Sequence, residues 1–192
     1  MAEVYNLIWK LAKEYYKKGR PGDVKHIEWM MKDALLVCKK EHIDDSLLLP
    51  LVILHDVGYA EVPRENPFKL DIRKLHMNAG AKIAEKVLQE VKYPKDKIKK
   101  IAYYVSIHDN WALGDNKIYN EDRILGIFND LDFIWMSTKN GFPILMKILN
   151  KNREEMIDYL ESDEKPRKRP FSTETTKKLF EKYLGVRKNE KQ

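Results

Sequence analysis

The chain has 192 residues, 43% of them hydrophobic, with only 8 glycines and 8 prolines, which suits one domain with a sizeable core and excludes a disordered or loop-dominated chain. Its 36 basic and 30 acidic residues leave a net charge of +6, a balance that suits phosphorylated ligands but is dispersed among glutamates. One cysteine, Cys38, excludes an internal disulfide and suits a reducing cytoplasm, and no apolar run approaches the roughly 18 residues of a membrane span.

Residues 3–18 place Val4, Leu7, Ile8, Leu11 and Tyr15 at helical spacing. Glu3 and the lack of a charged leader or small-residue cleavage site make this segment a helix rather than a signal peptide. It is expected either to pack on the domain or to serve a homodimer. Gly19-Arg20-Pro21-Gly22 breaks the pattern, and Asp23 is expected to cap a helix over 24–40 with Ile27, Met30, Met31, Ala34, Leu35 and Cys38 buried. After a second break at Ile43-Asp44-Asp45, residues 46–56 are too apolar for a surface helix and read as a central one. Pro50 marks its first turn or a kink, and Gly58 ends it.

A loop rich in proline and charge follows. Asp71 is then expected to cap a helix over 72–91 whose inner face carries Leu75, Ala79, Ile83, Ala84 and Val87. Pro94 opens a helix running to about His108, and Trp111 lies in a turn. Further helices are expected over 120–138, 142–161 and 173–184, the last two separated by the basic loop 165–170, with the final residues frayed. There is no alternating strand pattern and no repeat. The expectation is an all-α single domain over 1–192, its core about 22–136 and its C-terminal helices about 142–185.

The chemistry centres on His55-Asp56, at the end of the most apolar helix. A buried carboxylate needs a partner, and a metal ion shared with the adjacent histidine would supply one; an aspartate bonded to backbone is the simpler alternative. His26 lies beside the apolar stripe of its own helix. Asp132 is embedded in the apolar run Ile127, Phe128, Leu131, Ile134 and Trp135, whereas Asp130, about 200° round the same helix, points elsewhere. Two histidines with two aspartates make a mixed nitrogen–oxygen set suited to Mn, Fe, Co, Ni or Zn, and less to Mg.

The order His26, His55-Asp56, Asp132 resembles the H…HD…D signature of the HD superfamily of metal-dependent phosphohydrolases. DVKHIEWMMKDAL is similar to that family's first-histidine helix, LLLPLVILHDVGY to its hydrophobic run ending in HD, and IFNDLDFIWM to its later aspartate helix, with Asp132 in the ligand position. Pro50 departs from the pattern, since relatives more often have a small residue there. LHMNAGAKIAEKVL resembles a further family segment led by a histidine, here His76, and YYVSIHD resembles one ending at His108.

The resemblance implies an HD-domain helical bundle with a C-terminal helical extension. It implies one or two divalent metals per chain: His26, His55, Asp56 and Asp132 for the first, and His76, His108 and a bridging Asp56 for the second. The alternative for His76 and His108 is contact with phosphate as imidazolium. The implied function is hydrolysis of a nucleotide or other small phosphate ester by metal-activated water. Transition-state cations are sought among Arg64, Lys69, Arg73 and Lys74, and Asp109 is expected to orient His108 or to move a proton. Trp111 either stacks on a base or packs, and His42 is expected to be ordinary surface.

Rival readings are a di-iron oxygenase of the same family and a non-catalytic nucleic-acid-binding module using Lys97–Lys100 and Lys165–Arg169. The basic segments alternate with apolar and acidic residues, which favours a solvated face over a nucleic-acid footprint.

Overall fold

The computed structural model describes residues 3–162 and 169–190. Among the described residues there is no strand, and the expected all-α bundle is what forms. The helices are α1 (Glu3–Lys18), α2 (Asp23–Glu41), α3 (Asp45–Leu54), α4 (Leu70–Glu90), α5 (Lys95–Ile107), α6 (Lys117–Glu121), α7 (Arg123–Trp135), α8 (Gly141–Leu149), α9 (Arg153–Glu161) and α10 (Glu174–Asn189). None is long and apolar enough to cross a membrane.

The central element is α3, in which residues 48–54 are all buried. It packs against α1, α2, α5 and α7. Asp44 starts it by accepting the Ser46 N–H at 3.0 Å. Pro50 lies inside the helix and has no N–H to give the Ser46 carbonyl. The Tyr93 hydroxyl donates to that carbonyl instead, at 2.8 Å, so the proline leaves no acceptor unsatisfied. α3 ends at Leu54, and a 3-10 turn over Val57–Ala60 follows. Gly58 does not end the helix through a left-handed conformation, because Gly114 is the one described glycine with positive φ. A Cβ on Gly58 would lie 1.9 Å from the His76 carbonyl oxygen and 2.5 Å from the Gly80 nitrogen, so the residue is small because α4 touches this turn.

Several expected faces and caps differ. In α1 the buried stripe is Tyr5, Ile8, Ala12 and Tyr16, while Leu7 is exposed. The helix packs on the 3-10 turn and α3, where the Tyr16 hydroxyl donates to the Ile53 carbonyl at 2.9 Å. In α4 the inner stripe is Ile72, His76, Gly80, Ile83 and Val87, and Leu75 lies outside it. Neither Asp23 nor Asp71 caps; both are first-turn acids, favourable to the helix dipole.

The expected helix 120–138 is two helices. Asp122 divides them, accepting the Ile124 and Leu125 N–H groups at 2.9 and 3.1 Å. The expected helix 142–161 is also two. Asn150 adopts φ 51°, and Asn152 starts α9 through a capping box with Glu155. α10 continues to Asn189, past the expected fraying point.

The C-terminal helices form a second, smaller apolar cluster of Phe133, Phe142, Leu145, Met156, Leu160 and Leu184. Asp130 ties them to α7. Fully buried, it takes Arg169 at 2.9 Å and also accepts the Ser172 N–H and the Thr176 hydroxyl, each at 2.7 Å. Of the basic loop 165–170, residues 165–168 lie outside the described residues, and Arg169 is buried rather than a solvated charge.

Candidate metal centre

The end of α3 aims His55 and Asp56 at a point ringed by α2, α4, α5 and α7. His55 Nδ1 lies 3.0 Å from the Val52 carbonyl, His76 Nδ1 3.3 Å from that of Ile72, and His108 Nδ1 2.8 Å from that of Val105. A carbonyl only accepts, so each Nδ1 carries a hydrogen and each Nε2 is the nitrogen turned inward, a metal ligand whenever it is unprotonated. All three rings are buried.

Asp56 sits among these nitrogens. One carboxylate oxygen is 3.4 Å from both His76 Nε2 and His108 Nε2, and the other is 3.5 Å from His55 Nε2. His76 Nε2 and His108 Nε2 are 3.2 Å apart. Two lone-pair nitrogens at that distance repel unless a cation or proton lies between them. On the other side, Asp132 Oδ1 is 3.2 Å from His26 Nε2 and 4.0 Å from His55 Nε2. The buried Nε2 atoms of His26 and His55 have no well-formed hydrogen bond despite these carboxylates. Proximity without hydrogen-bond geometry is what ligands to a shared third body show.

Two triads could hold an ion: His26, His55 and Asp56, and Asp56, His76 and His108. Asp132 stands beside the first, and Asp56 belongs to both.

The fields within the site are strong. Burial drives the His55 pKa down to about 4. Burial opposes the charge on His108 too, but the Asp56 and Asp109 carboxylates outweigh it and lift that imidazole to about 9. Burial would raise Asp56, yet His55, His108, His76 and Arg20 hold it well below the usual carboxylate range. Asp132 is lowered on the same balance, burial being outweighed mainly by His26.

The more than half of the chain that supplies these residues, 23–134, matches the family model of the HD domain. The chain belongs to the HD domain family. No curated protein and no solved structure gives a significant match.

The HD site opens into a cavity of about 470 Å³, and the structure distributes the expected cations unevenly around it. Arg73 lines it, buried, with its guanidinium 2.5 Å from Asp109 and 5.0 Å from the centre of the Trp111 ring. Arg64, Lys69 and Lys74 do not line it. Arg64 donates to the Lys18 carbonyl, Lys69 pairs with Glu65 on the surface, and Lys74 is exposed. Asp109 does not orient His108, whose Nδ1 is taken by Val105; it accepts from Arg73 and from the Trp111 indole at 3.1 Å, and stands 3.8 Å from His76 Nε2. His42 is exposed, as expected.

Sequence reasoning missed Arg20. It lies in the turn before α2, with its guanidinium 3.0 Å from Asp23, 3.8 Å from Asp56 and 4.5 Å from the centre of the Tyr59 ring. Burial raises the Asp23 carboxyl to about 6. Gly-Arg-Pro-Gly reads as a helix breaker, and only the fold shows that the break delivers an arginine to the HD aspartate. Tyr59 stacks on His76 and Trp135 on His26, with ring centres 4.1 and 4.9 Å apart. The C-terminal helices were missed as well. Ile144, Leu145, Ile148 and Leu149 of α8 and Tyr159 of α9 form one wall of the cavity.

Proposed function

We propose that the protein is a metal-dependent phosphohydrolase acting on a nucleotide or other small phosphate ester. The observation that carries this reading is the convergence of the Nε2 atoms of His55, His76 and His108 around the Asp56 carboxylate, with two of the nitrogens 3.2 Å apart. Imidazole nitrogens and a carboxylate packed this closely in a buried site favour a cation among them.

The donor set of imidazole and carboxylate fits a divalent transition metal. His26, His55, Asp56 and Asp132 would hold one ion, and Asp56, His76 and His108 a second. Such an ion supplies Lewis acidity toward a phosphoryl oxygen and a water acidic enough to attack near neutral pH.

The other parts are the protein's own. The backbone acceptors of Val52, Ile72 and Val105 fix the ring orientations before substrate arrives. Arg20, at the cavity edge beside Asp56, stabilises charge gathering on the phosphoryl oxygens. Arg73 is locked to Asp109 and lies against Trp111, which fixes this side of the cavity. In the net reaction the ester P–O bond breaks, a bond forms from the water oxygen to phosphorus, and one water proton ends on the departing alcohol.

The nucleic-acid-binding alternative has little support in the described residues. Lys97 is engaged by Asp44 and the Ser46 hydroxyl, and Arg169 is buried on Asp130.

The test is elemental analysis followed by phosphate release. Protein purified without chelator is expected to carry transition metal and, reconstituted with Mn²⁺, Co²⁺, Ni²⁺ or Fe²⁺, to release phosphate from phosphomonoesters equally with and without oxygen. Near two ions per chain would place His76 and His108 on metal; near one would place them on phosphate. Turnover that needs oxygen would replace the reading with the oxygenase. No metal after reconstitution would end both.

A further inference from the structure

From the lining of the cavity we infer that the organic part of the substrate is apolar, an alkyl or aryl group seated against α8. This rests on the phosphohydrolase reading for the position of the phosphate. The polar groups of the cavity are gathered at one end, where His26, His55, Asp56, His108 and Asp132 meet Arg20 and Arg73. Beyond them, among the described residues, the lining holds no serine, threonine, asparagine, glutamine or lysine, and its polar atoms are those of aromatic rings, the Tyr159 hydroxyl and the tryptophan indoles. The sugar hydroxyls and base edges of a nucleotide need such partners, and burying them unpaired is costly. An apolar group needs none.

α8 is built to receive one. It reads GFPILMKIL and buries Phe142 and Leu145 in the second cluster. Ile144 and Ile148, one turn apart on this helix, line the cavity while remaining 45% and 44% exposed. They are not needed to hold α8 in place, since they lie outside the buried cluster. Phe68 and Trp111, whose rings lie against Arg73, and Met136 complete the apolar lining. The result is a charged end for a phosphate and an apolar barrel for what the phosphate leaves behind.

The experiment compares binding with turnover. Alkyl phosphonates, which cannot be hydrolysed at the P–C bond, are titrated into metal-reconstituted protein by calorimetry. Each methylene reaching the wall is expected to tighten binding, ideally by about fourfold, the value of a fully buried methylene. Hexylphosphonate should therefore bind at least tenfold more tightly than ethylphosphonate. The same order is expected in kcat/KM for hexyl over ethyl phosphate. Ile144→Asn with Ile148→Asn should shrink the hexyl-to-ethyl ratio toward one, and Ile148→Met should keep it. Both positions are half in solvent, so the fold should survive, as checked by circular dichroism.

Tighter binding of hexyl- than phenylphosphonate would make the group aliphatic and the reverse aromatic; both support the inference. Equal affinity for ethyl- and hexylphosphonate, no binding of either, or tighter binding of adenosine monophosphate than of hexyl phosphate overturns it. Equal affinity with phosphate release intact would sink this inference alone. Graded affinity without phosphate release from any ester would sink the hydrolase reading alone.

Discussion

The two ends of the cavity are held by opposite means. The metal-binding end comes from α2, α3, α4, α5 and α7, packed in the main apolar cluster. Its side chains are histidines and carboxylates, and hydrogen bonds to their own helices set the orientations of His55, His76 and His108. The opposite wall comes from α8 and α9, outside the segment matching the HD family. Its side chains are aliphatic and aromatic, and it is moored to the rest by a buried ion pair and the small second cluster. Precise placement of ligands needs directional bonds, whereas contact with an apolar group needs only shape. On the proposed reading the reaction class would reside in one end and the choice of substrate in the other, so that each could change without the other.

The largest expected effect lies at the metal end. Asp56→Ala removes the carboxylate shared by both candidate triads. It should lower phosphate release by on the order of a thousandfold or more, the scale of losing a group aimed at transition-state charge, and reduce bound metal. His55→Ala should behave alike, with helicity retained by circular dichroism. Full activity in either variant would detach the reaction from this end altogether.

The neighbouring aspartates of α7 give the sharpest contrast. Asp130→Ala leaves Arg169 buried without its partner and releases the start of α10, which should cost about 3–5 kcal/mol in a urea titration with metal content unchanged. Asp132→Ala, on a half-buried group facing the cavity, should lose metal while stability changes little. If the two exchanged phenotypes, the division between ends would be wrong.

Within the wall, Met156 is fully buried in the second cluster and does not line the cavity. Met156→Ala should cost about 2–4 kcal/mol through the cavity it leaves, yet bind metal in full. Loss of metal in this variant would mean that the wall and the metal end form one cooperative unit.

How much of this could be seen in the residues follows the same division. His55-Asp56 stood out because a charged pair at the end of Leu47–Leu54 has no apolar role, and His26 and Asp132 completed a familiar order. The wall gave no such signal, because Ile144, Leu145 and Ile148 are the residues any core helix uses. Its geometry did leave a trace: Asn150 followed by Asn152 with Glu155 three residues on is a helix stop and a helix start, and continuous apolar spacing across them concealed it. Asp130 and Arg169 are 39 residues apart in the chain, and no local pattern pairs an apparently solvated arginine with a buried carboxylate.

The smallest effect concerns how α10 is moored on α2, and it carries a pH signature. Hydrogen bonds from Thr175 hold the Glu41 carboxyl below its usual range, so its contribution to stability is complete above the unfolded value near 4.5 and is lost as pH falls through the lower folded value. Asp33, which accepts the Tyr183 hydroxyl at 2.7 Å, is shifted the other way by burial. Its folded carboxyl keeps a proton to higher pH, so its contribution is present in acid and is lost as pH rises through the folded value. The two groups oppose each other across the same interface. Glu41→Gln should flatten the fall of Tm between pH 5 and pH 3, and Asp33→Asn should leave that fall and remove a small loss on its alkaline side. Metal content at pH 7 should be unchanged in both, since neither residue lines the cavity. An acid transition unaltered by Glu41→Gln would mean that the bond from Thr175 is not what loosens in acid.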